Sequence, residues 1–508
     1  MAGAASDGLS HVAASGALIE EIDWVDPEAA FLAQAGQTGS LWLDSSDTHY
    51  AGARHSFIAC APYKMLRFHA HQAGAGFAAL EAHLGAHQSL WADLPQEIDA
   101  QVPPFRGGAA GLFGYGLGAG LEPSVAPSAN PAEKEAMVVG LYASVLAFDH
   151  AAKRCFIIAT GLPHDTVTAR ADAARQDISR WQQLLTGVPG AVLPPPPDAP
   201  QLNLAPSSNF SRAEYCDSVG ALVAHILDGD IFQANLAQCF SAELGADDDA
   251  LSYYRRLRRA GPAPFSAFFQ MGDYALASAS PERFLQMADG RVETQPIKGT
   301  QKRGASVAED AAIAAALAES EKDRAENVMI VDLLRNDLAK NCRLGSIHVP
   351  QLCALESFSN VHHLVSTIHG QVADNVSPVK VLRDCFPGGS ITGAPKIRAM
   401  QLIDAYEKTT RGASYGALGY IGFDGQMDSS IVIRTAEITG RHIRFHVGGG
   451  IVADSVPEAE YVETLDKARG LMTALGVDID AWAADVESLT DAQDNPVSYT
   501  HLTLPTKA

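Results

Sequence analysis

The sequence predicts a large protein of mixed helix and strand, folded as one unit with two lobes or as two domains. The chain has 508 residues, which is more than one hydrophobic core usually serves. Apolar residues make up 47% of the chain and charged residues 19%, so an extensive core can form. Strand-like apolar runs and segments with helical periodicity both occur, which indicates that both kinds of element are present.

Residues 20–185 form a first region of short strands, with strand-like runs at 41–43, 56–60 and 137–143. Residues 176–185 have helical character. The four prolines from Pro194 to Pro197 predict an extended, exposed linker over 186–205, and we place the main domain boundary there.

Residues 206–476 form a second region, which carries most of the candidate chemistry. Ser211 and Glu214 form a capping box, and the apolar spacing after them predicts a helix that ends at Gly229. A strand carrying Gln233 follows.

Lys298 lies at the end of a strand-like stretch, and Gly299 and Thr300 after it predict a turn. Most lysines are solvated surface charges, and for Lys298 alone that interpretation stays open. A lysine amine is also a nucleophile where burial and neighbouring groups make it reactive. The groups that accompany Lys298 therefore decide between the two interpretations.

A first group of carboxylates lies on a long helical region, 308–340. Glu319, Asp323 and Glu326 are spaced i, i+4 and i+7, so they share one helix face. A solvated acidic face is the simpler interpretation. Residues 328–334 are too apolar for a surface, however, so we expect Glu326 where the helix enters the core.

A second group follows a predicted helix start, with Ser455 as N-cap and Pro457 in the first turn. Glu460 and Glu463 are one turn apart on this helix. Two helices that each offer carboxylates suit a hard cation, and Mg²⁺ accepts a few carboxylates together with water and substrate oxygens. The sequence contains no His or Cys cluster that would favour a softer metal.

Loops between these helices suit an anionic ligand. Residues 387–396 lead into a predicted helix over 397–406, whose N-terminal N–H groups can bind a carboxylate or phosphate. Arg434 lies in an apolar strand-like run, 431–435, and a buried arginine needs an anion from the protein or from a substrate. His363 is either a core histidine or an acid–base group.

The charge balance argues against nucleic acid and against an anionic membrane as main partners. Lys and Arg number 37 and Asp and Glu 59, for a formal net charge of −22. Seven scattered cysteines without a C-x-x-C pair predict a reduced, cytoplasmic protein. We find neither a secretory signal pattern nor a window with the roughly 20 apolar residues of a membrane span.

Together these motifs resemble the chorismate-utilising enzymes, a family that includes anthranilate, aminodeoxychorismate, isochorismate and salicylate synthases. The resemblance is strong over 211–475 and weaker over 41–148, and it rests on residues 280–284, 296–300, 326–333, 362–366, 388–396 and 448–463. It implies a fold of the α+β class, in which two large antiparallel sheets pack as a sandwich with flanking helices. Both halves of the chain contribute to that fold.

The resemblance also implies the roles of individual residues. Lys298 is the implied nucleophile, Glu282 the general acid and His363 a third catalytic group near the substrate ring. The implied substrate-binding residues are Gln233, Ser390, Thr392, Gly393, Lys396, Arg434, Gly448, Gly449, Gly450 and Lys467.

The implied cofactor is Mg²⁺, with Glu326 and Glu463 as ligands and Asp323 and Glu460 close by or acting through water. The implied substrate is chorismate, and the implied reaction replaces its C4 hydroxyl by an amine in two steps. Lys298 adds at C2 as the hydroxyl leaves, and ammonia then adds at C4 and expels Lys298.

Two positions sort the sequence within the family. Water-using members carry a lysine where this chain has Gln233, so Gln233 indicates an ammonia user. Anthranilate synthases typically have alanine at the position of Lys298, so Lys298 favours 4-amino-4-deoxychorismate, a precursor of p-aminobenzoate and folate, as product. The alternative is amination with pyruvate elimination, which yields anthranilate.

The source of ammonia is implied to be a separate chain. The sequence has no Gly-x-Cys-x-Gly glutaminase signature, so a glutamine amidotransferase subunit is the expected partner. Ammonium salts should support the reaction without it.

Two stretches lie outside this scheme. Residues that resemble a tryptophan site of relatives, with ordinary sheet packing as the alternative, are Ser45, Arg54, Pro264, Phe265 and Ser266. The tail, 477–508, carries no family motif, and residues 497–505 resemble a cloning or assembly scar. We expect this tail to be disordered or not native.

Overall fold

The computed structural model describes residues 8–47, 50, 52–125, 134–188, 193–199, 201–358 and 361–484. Strands and helices are numbered in chain order. The strands are β1 (Ser10–Val12), β2 (Leu18–Ile22), β3 (Leu41–Asp44), β4 (His55–Ala59), β5 (Lys64–Phe68), β6 (Gly108–Phe113), β7 (Met137–Tyr142), β8 (Ser144–Asp149), β9 (Arg154–Ala159), β10 (Leu204–Ser208), β11 (Gln233–Glu243), β12 (Phe265–Gln270), β13 (Tyr274–Ser280), β14 (Arg283–Ala288), β15 (Arg291–Thr294), β16 (Ile297–Lys302), β17 (His348–Ser357), β18 (Val361–Gln371), β19 (Gly393–Ala394), β20 (Ala417–Gly422), β21 (Met427–Ile431), β22 (Thr435–Thr439) and β23 (His442–Ile451).

The helices are α1 (Pro27–Leu32), α2 (Ala73–Gly85), α3 (Gln96–Asp99), α4 (Gly116–Leu121), α5 (Val167–Leu184), α6 (Arg212–Leu227), α7 (Ala250–Ala260), α8 (Val307–Glu319), α9 (Glu321–Ala339), α10 (Pro378–Cys385), α11 (Lys396–Tyr406) and α12 (Pro457–Ala474). Two short 3-10 helices cover Ala70–Gln72 and Gly389–Ile391. Within the described ranges, each helix is too short or too polar to cross a membrane.

The strands form two large antiparallel sheets. One has 13 strands in the order β1-β2-β9-β8-β4-β3-β12-β13-β22-β23-β11-β10, with β19 also paired to β11. The other has ten in the order β16-β18-β15-β14-β21-β20-β6-β7-β5, with β17 also paired to β18. Strands from both sides of the proline-rich segment share each sheet, since β12 pairs with β3 and β20 with β6.

The main core lies between the two sheets. Phe57 of β4 meets Tyr420 of β20 with ring centroids 5.3 Å apart, and Phe105 stacks on Tyr420 at 4.6 Å. A second core lies between the outer face of the 13-stranded sheet and helices α1, α5, α7 and α12, and it includes Trp42 and Trp181. The structure therefore confirms the predicted α+β sandwich with flanking helices.

Several predicted elements differ in detail. The helical region 308–340 is two helices, because Ser320 has an extended backbone and its hydroxyl caps α9 by accepting from the Asp323 N–H. The helix seen at 176–185 begins earlier, at Val167, after the Thr166 cap. Of the tail, residues 477–484 pack on the fold, where Trp482 lies edge-on to Phe240, and residues 485–508 lie outside the described part of the chain.

The expected strand through Arg434 is wrong. β21 ends at Ile431 in one sheet and β22 begins at Thr435 in the other, so the chain crosses between sheets there. Arg434 has a φ of 49° in this crossover. The run is apolar because it is buried between two sheets, with Val432 only 1% exposed.

The expected Gly299–Thr300 turn is also wrong. β16 continues to Lys302, and its pairing with β18 shifts register between Ile297 and Thr300. Gly299, at a φ of 85°, accommodates this bulge because a residue without Cβ adopts that conformation freely. The bulge keeps Lys298 on a paired strand and sets Thr300 opposite His363.

The proline-rich segment is described over 193–199, where it has no regular secondary structure. Arg255 of α7 donates to the Pro194 carbonyl at 2.7 Å, and Arg256 donates to the Pro197 carbonyl at 3.5 Å. Both arginines are themselves buried, so this part of the linker is fastened to the 206–476 region.

Candidate active site

A buried lysine and a glutamate form the centre of the site. Lys298 Nζ on β16 lies 2.7 Å from Glu326 Oε1 on α9, and both side chains are only 11% exposed. Gln233 Nε2 at the start of β11 donates to the same carboxylate oxygen at 2.8 Å. The surface interpretation of Lys298 is therefore wrong, and so is the solvated-face interpretation for Glu326.

The charge state of Lys298 follows from two opposing effects. Burial is the largest single effect and acts to lower its pKa, but the carboxylates of Glu326, Glu282 and Glu463 together outweigh it, and the pKa is raised overall. Lys298 therefore rests as an ammonium ion paired with Glu326. A free amine forms only when the proton leaves, and Glu326 Oε1 is the acceptor already within hydrogen-bond distance.

Gly450 of β23 leaves the space in which these three side chains meet. Pairing of β11 with β23 sets Gly450 opposite Asn235. A Cβ at Gly450 would lie 2.1 Å from Gln233 Nε2, 2.3 Å from Glu326 Oε1 and 3.1 Å from Lys298 Nζ. The bare backbone is thus what allows the three side chains to meet.

Two more carboxylates lie beside the neighbouring glycine. A Cβ at Gly449 would lie 3.2 Å from Glu460 Oε2 and 3.4 Å from Glu463 Oε1. Glu463 pairs with Lys467 at 2.7 Å, and Lys467 also donates to the Gly448 carbonyl at 2.8 Å. Lys467 is the largest cause of the lowered pKa of Glu463.

The role of Ser455 differs from the prediction. The N-cap position of α12 is Val456, and the Ser455 hydroxyl donates instead to Glu460 Oε1 at 2.7 Å. Ser455 therefore orients a carboxylate of the site.

These carboxylates are the kind of ligand that a hard cation prefers, but their present positions do not form a complete binding site. Glu326, Glu460 and Glu463 all approach the bare backbone at Gly449 and Gly450, and carboxylate oxygens are what Mg²⁺ prefers. Within the described residues, no three His, Cys, Asp or Glu side chains converge in an arrangement that could hold a metal ion. Glu326 is engaged by Lys298, so the donor set is completed only with further ligands such as substrate oxygens.

Asp323 lies one turn before Glu326 on α9. Its carboxylate accepts from the Ser320 hydroxyl at 2.5 Å, which makes it part of the helix cap. The bare Cα of Gly299 packs against it, since a Cβ there would lie 3.0 Å from that of Asp323.

Glu282 is a buried carboxyl group suited to proton transfer at neutral pH. Burial raises its pKa to about 7, opposed by a hydrogen bond with Ser390 and by the charge of Lys298. Glu282 is 5% exposed and Ser390 6%. A carboxyl that is half protonated at pH 7 can act as a general acid there.

His363 is buried and neutral. Its Nδ1 lies 2.8 Å from Thr300 Oγ1, and the Phe358 ring meets it edge-on at 5.0 Å. Burial is the main cause that lowers its pKa to about 3, with the charge of Arg434 acting in the same direction. Thr300 is a site residue that the sequence does not mark. It lies opposite His363 only because β16 pairs with β18, which is distant in sequence.

Arg434 is available to an anion. Its guanidinium makes no hydrogen bond or ion pair to any residue that the structure describes, and burial lowers its pKa. The sequence left two possible partners for Arg434, a protein carboxylate or a substrate anion. No carboxylate within the described residues pairs with it.

Other predicted binding residues have structural partners in the fold. Lys396 Nζ bonds Asp337 at 2.5 Å and the carbonyls of Cys385 and Pro387, which uses all three of its N–H donors. The Thr392 hydroxyl donates to the Gly388 carbonyl within the same loop. These contacts hold the loop that presents Ser390.

Two of the predicted glycines serve backbone packing. A Cβ at Gly393 would lie 2.2 Å from the Gln233 carbonyl oxygen, and one at Gly448 2.2 Å from the Leu236 carbonyl oxygen. Both glycines keep neighbouring backbone close to β11.

The residues that resemble a tryptophan site partly come together. The Ser45 hydroxyl lies 2.6 Å from the His55 carbonyl and 3.3 Å from that of Pro264, and Ser266 lies 2.7 Å from the Ser46 hydroxyl. Arg54 turns to Asp149 at 2.6 Å. Phe265 lies under the guanidinium of Arg283 at 5.1 Å. Tryptophan binding stays a prediction.

The sandwich with this site defines a class of enzyme, and comparisons with known proteins agree. Residues 38–473 match the model of a family described as chorismate binding enzyme. Aminodeoxychorismate synthase component 1 of Salmonella typhimurium is 44% identical over 375 residues, covering 73% of this chain and 77% of the relative. Anthranilate synthase component 1 of Geobacillus stearothermophilus is 35% identical over 472 residues, covering 89% and 92%.

A solved structure agrees as well. Anthranilate synthase component I from Streptococcus pneumoniae superimposes with a TM-score of 0.69 at 28% identity, over 82% of this chain and 92% of that one. The chain therefore belongs to the chorismate-binding enzyme family, and it is a chorismate-utilising enzyme.

Proposed function

We propose that this chain aminates chorismate at C4 to give 4-amino-4-deoxychorismate and water, with Lys298 as a covalent nucleophile. The observation that carries the proposal is the buried Lys298, whose Nζ lies 2.7 Å from Glu326 within the site. The 41% to 44% identity to relatives named aminodeoxychorismate synthase component 1 supports it.

The first step forms a bond from Lys298 Nζ to C2 of the ring. The ring double bond shifts, the C4–O bond breaks, and Glu282 gives its proton to the departing hydroxyl, which leaves as water. A Glu282 pKa of about 7 leaves enough of the acid form for this transfer at neutral pH.

The second step reverses the first with a new nucleophile. Ammonia bonds to C4, the double bond shifts back, and the C2–N bond breaks to release Lys298 as an amine. A proton from the incoming nitrogen returns to the Glu282 carboxylate, so atoms and charge balance. Two additions with double-bond shift replace one direct displacement at C4.

The remaining side chains bind and orient the substrate. Arg434 is free to pair with a chorismate carboxylate, which neutralises a charge that the acidic cluster would repel. Mg²⁺, held by Glu326, Glu460 and Glu463, would neutralise a second carboxylate when bound. His363, neutral and fixed by Thr300, faces the ring as a hydrogen-bonding group rather than a charge.

Ammonia is supplied by a separate glutamine amidotransferase subunit. The naming of relatives as component 1 supports a second component. In keeping with the net charge of −22, the proposal includes no nucleic acid and no membrane partner, and it places the reaction in the cytoplasm.

The test is the mass of the product from chorismate, Mg²⁺ and ammonium with this chain alone. An aminated product that retains the enolpyruvyl group is expected. Anthranilate as product would favour a second candidate function, anthranilate synthesis. The 35% identity to anthranilate synthase component 1 over 89% of the chain supports that candidate. Isochorismate would overturn the role given to Gln233.

A further inference from the structure

His363 lies on β18 between two other strands of the ten-stranded sheet. Thr300 of β16 is its direct partner on one side and Glu356 of β17 on the other. Residues directly opposite each other in an antiparallel pair point to the same face, so these three side chains form a polar row across the strands. Thr300 holds the imidazole at one atom only, since its hydroxyl oxygen lies 2.8 Å from Nδ1.

Two aromatic rings continue from the imidazole to one side. The Phe358 ring meets His363 edge-on, with centroids 5.0 Å apart and planes at 71°. The Tyr50 ring stacks on Phe358 in turn, with centroids 4.6 Å apart and planes at 28°. We call Tyr50, Phe358 and His363 the aromatic series. Edge-to-face and offset-stacked rings are mutually attractive, so the orientation of each ring in the series restricts that of the next.

Phe358 is fixed at both its backbone and its ring. Its backbone N–H donates to the Val361 carbonyl at 2.8 Å, which ties the residue to the start of β18. Its side chain is buried, and Tyr50 covers one face of the ring. The Phe358 backbone would keep its place without Tyr50, but the ring would lose the contact that sets its tilt against His363.

Tyr50 is itself held through its hydroxyl. The hydroxyl donates to the carboxylate of Glu356, the cross-strand neighbour of His363. Burial, together with that carboxylate, raises the pKa of Tyr50, so the phenol keeps its proton and remains a donor. Tyr50 therefore contacts two neighbours of the imidazole at once, Phe358 with its ring and Glu356 with its hydroxyl.

Tyr50 comes from a different part of the chain than the groups that it contacts. It lies between β3 and β4, which belong to the 13-stranded sheet, whereas β16, β17 and β18 belong to the ten-stranded sheet. The proposed catalytic groups Lys298, Glu282 and His363 all lie in the 206–476 region. Through Tyr50, the 20–185 region reaches the surroundings of one of them.

We propose that Tyr50 is a positioning residue for His363, which it holds in its working orientation toward the substrate ring through Phe358. This inference rests on the proposed function, which places the imidazole against chorismate as a hydrogen-bonding group. A hydrogen bond depends steeply on angle, so an imidazole that rocks would contribute less to the reaction. Tyr50 acts through His363 and makes no bond to the substrate.

The test is a double-mutant cycle on kcat/KM for chorismate consumption with ammonium and Mg²⁺. Tyr50→Ala is expected to lower kcat/KM by about 2- to 12-fold, the range of one aromatic pair. In a His363→Ala background, the same change should have no further effect, because its target is already absent. Tyr50→Leu, which keeps the bulk but not the flat ring, should behave as Tyr50→Ala does.

Two further variants are controls. Tyr50→Phe keeps the stacked ring and removes only the hydroxyl, so it should retain most of the wild-type kcat/KM. Tyr63→Ala removes another half-buried tyrosine of the 20–185 region, which packs on the main core. Tyr63 precedes β5, at the edge of the ten-stranded sheet opposite β16, so its loss should leave kcat/KM unchanged.

A spectroscopic measurement reads the imidazole directly. Histidine labelled with heavy nitrogen is incorporated, and the ring signals of His363 are identified by their absence from His363→Ala. At pH 7, the wild-type chain and Tyr50→Phe should show one neutral tautomer. Tyr50→Ala should show signals averaged between tautomers, which a loss of packing elsewhere would not produce. This measurement decides alone if His363→Ala turns over too slowly for the cycle.

The outcomes are distinct. Equal losses from Tyr50→Ala with and without His363 would overturn the positioning role, as would wild-type kcat/KM or unchanged His363 signals in folded Tyr50→Ala. Failure of the proposed function would appear elsewhere, as a wild-type product other than 4-amino-4-deoxychorismate. Neither chorismate consumption nor the imidazole signals depend on which product forms.

Discussion

Gly450→Ala tests whether the meeting of Lys298, Glu326 and Gln233 is required for catalysis. The new Cβ would lie 2.1 Å from Gln233 Nε2 and 2.3 Å from Glu326 Oε1, where ordinary contact begins at 3.4 Å. Each atom must therefore retreat by about an ångström, which is enough to break their hydrogen bond. Gly450 is not among the glycines with positive φ, so alanine is compatible with the backbone and the effect is confined to these side chains.

The expected cost follows from the contact that is lost. A buried hydrogen bond to a charged group contributes about 1.5–3 kcal/mol. At 1.4 kcal/mol for each factor of ten, kcat/KM for chorismate should fall about 10- to 150-fold. The assay is ammonium-dependent product formation at saturating Mg²⁺, together with thermal unfolding to establish that the variant is folded.

Gly470→Ala is the matched control for this substitution. Gly470 lies on α12, and a Cβ there meets nothing within 4 Å. It should stabilise the helix by about 0.4–1 kcal/mol and leave kcat/KM unchanged. Wild-type kcat/KM in Gly450→Ala would refute the claim that this cluster must stay close-packed.

Three further predictions use the same assay or unfolding measurements. The Lys298→Arg variant keeps a positive charge beside Glu326, but the arginine side chain cannot act as the nucleophile. C4 amination should therefore fall to background while the variant stays folded. Turnover near the wild-type rate would count against covalent catalysis. At a fixed concentration of free ammonia, the rate should fall as pH rises above about 7, because Glu282, with a raised pKa of about 7, loses the proton it must donate. The Glu282→Gln variant should lose roughly 10²- to 10⁴-fold in rate. A flat pH–rate profile up to pH 9 would contradict this role for Glu282. His446 has a folded pKa of about 3, below the ordinary value of 6.5, so it contributes stability above pH 6.5 that is lost as pH falls toward 3. At pH 5 the free energy of unfolding should be lower by about 2 kcal/mol for this reason. The His446→Leu variant, measured by urea unfolding, should be free of that part of the acid destabilisation. An unchanged pH dependence would show that His446 is not buried in its neutral form.

Elements specified by neighbouring residues were predictable from the sequence. The capping box is present, with Ser211 Oγ accepting from the Glu214 N–H and Glu214 accepting from the Ser211 N–H, and helix α6 follows it to Leu227. The helix after the 387–396 loop also appears, as α11. In these cases the signal and the structure lie within one or two turns of each other.

Elements specified by distant pairing were not predictable. The crossover at Arg434 looks like a strand in sequence, and only the assignment of β21 and β22 to different sheets reveals it. The same holds for the bulge at Gly299, which exists because β16 pairs with β18 beyond it. A local apolar pattern reports burial but not which sheet provides it.

The candidate site shows the same division. Lys298, Glu326 and Gln233 were named from separate motifs, and the structure joins them within hydrogen-bond distance. That Lys396 anchors its own loop could not be foreseen, because its partner Asp337 lies in the apolar half of α9 and no motif marked it. Residue chemistry was readable in sequence, and the partner of each charge was not.

The central claim is that Lys298 forms a bond to the substrate during C4 amination. The most direct measurement is the mass of the peptide containing Lys298 after the chain is mixed with chorismate and Mg²⁺ without ammonia and rapidly quenched. We expect an adduct on Lys298 with the mass of chorismate less one water, absent from Lys298→Arg and discharged by ammonium. An unmodified Lys298 under conditions in which ammonium yields 4-amino-4-deoxychorismate would contradict it.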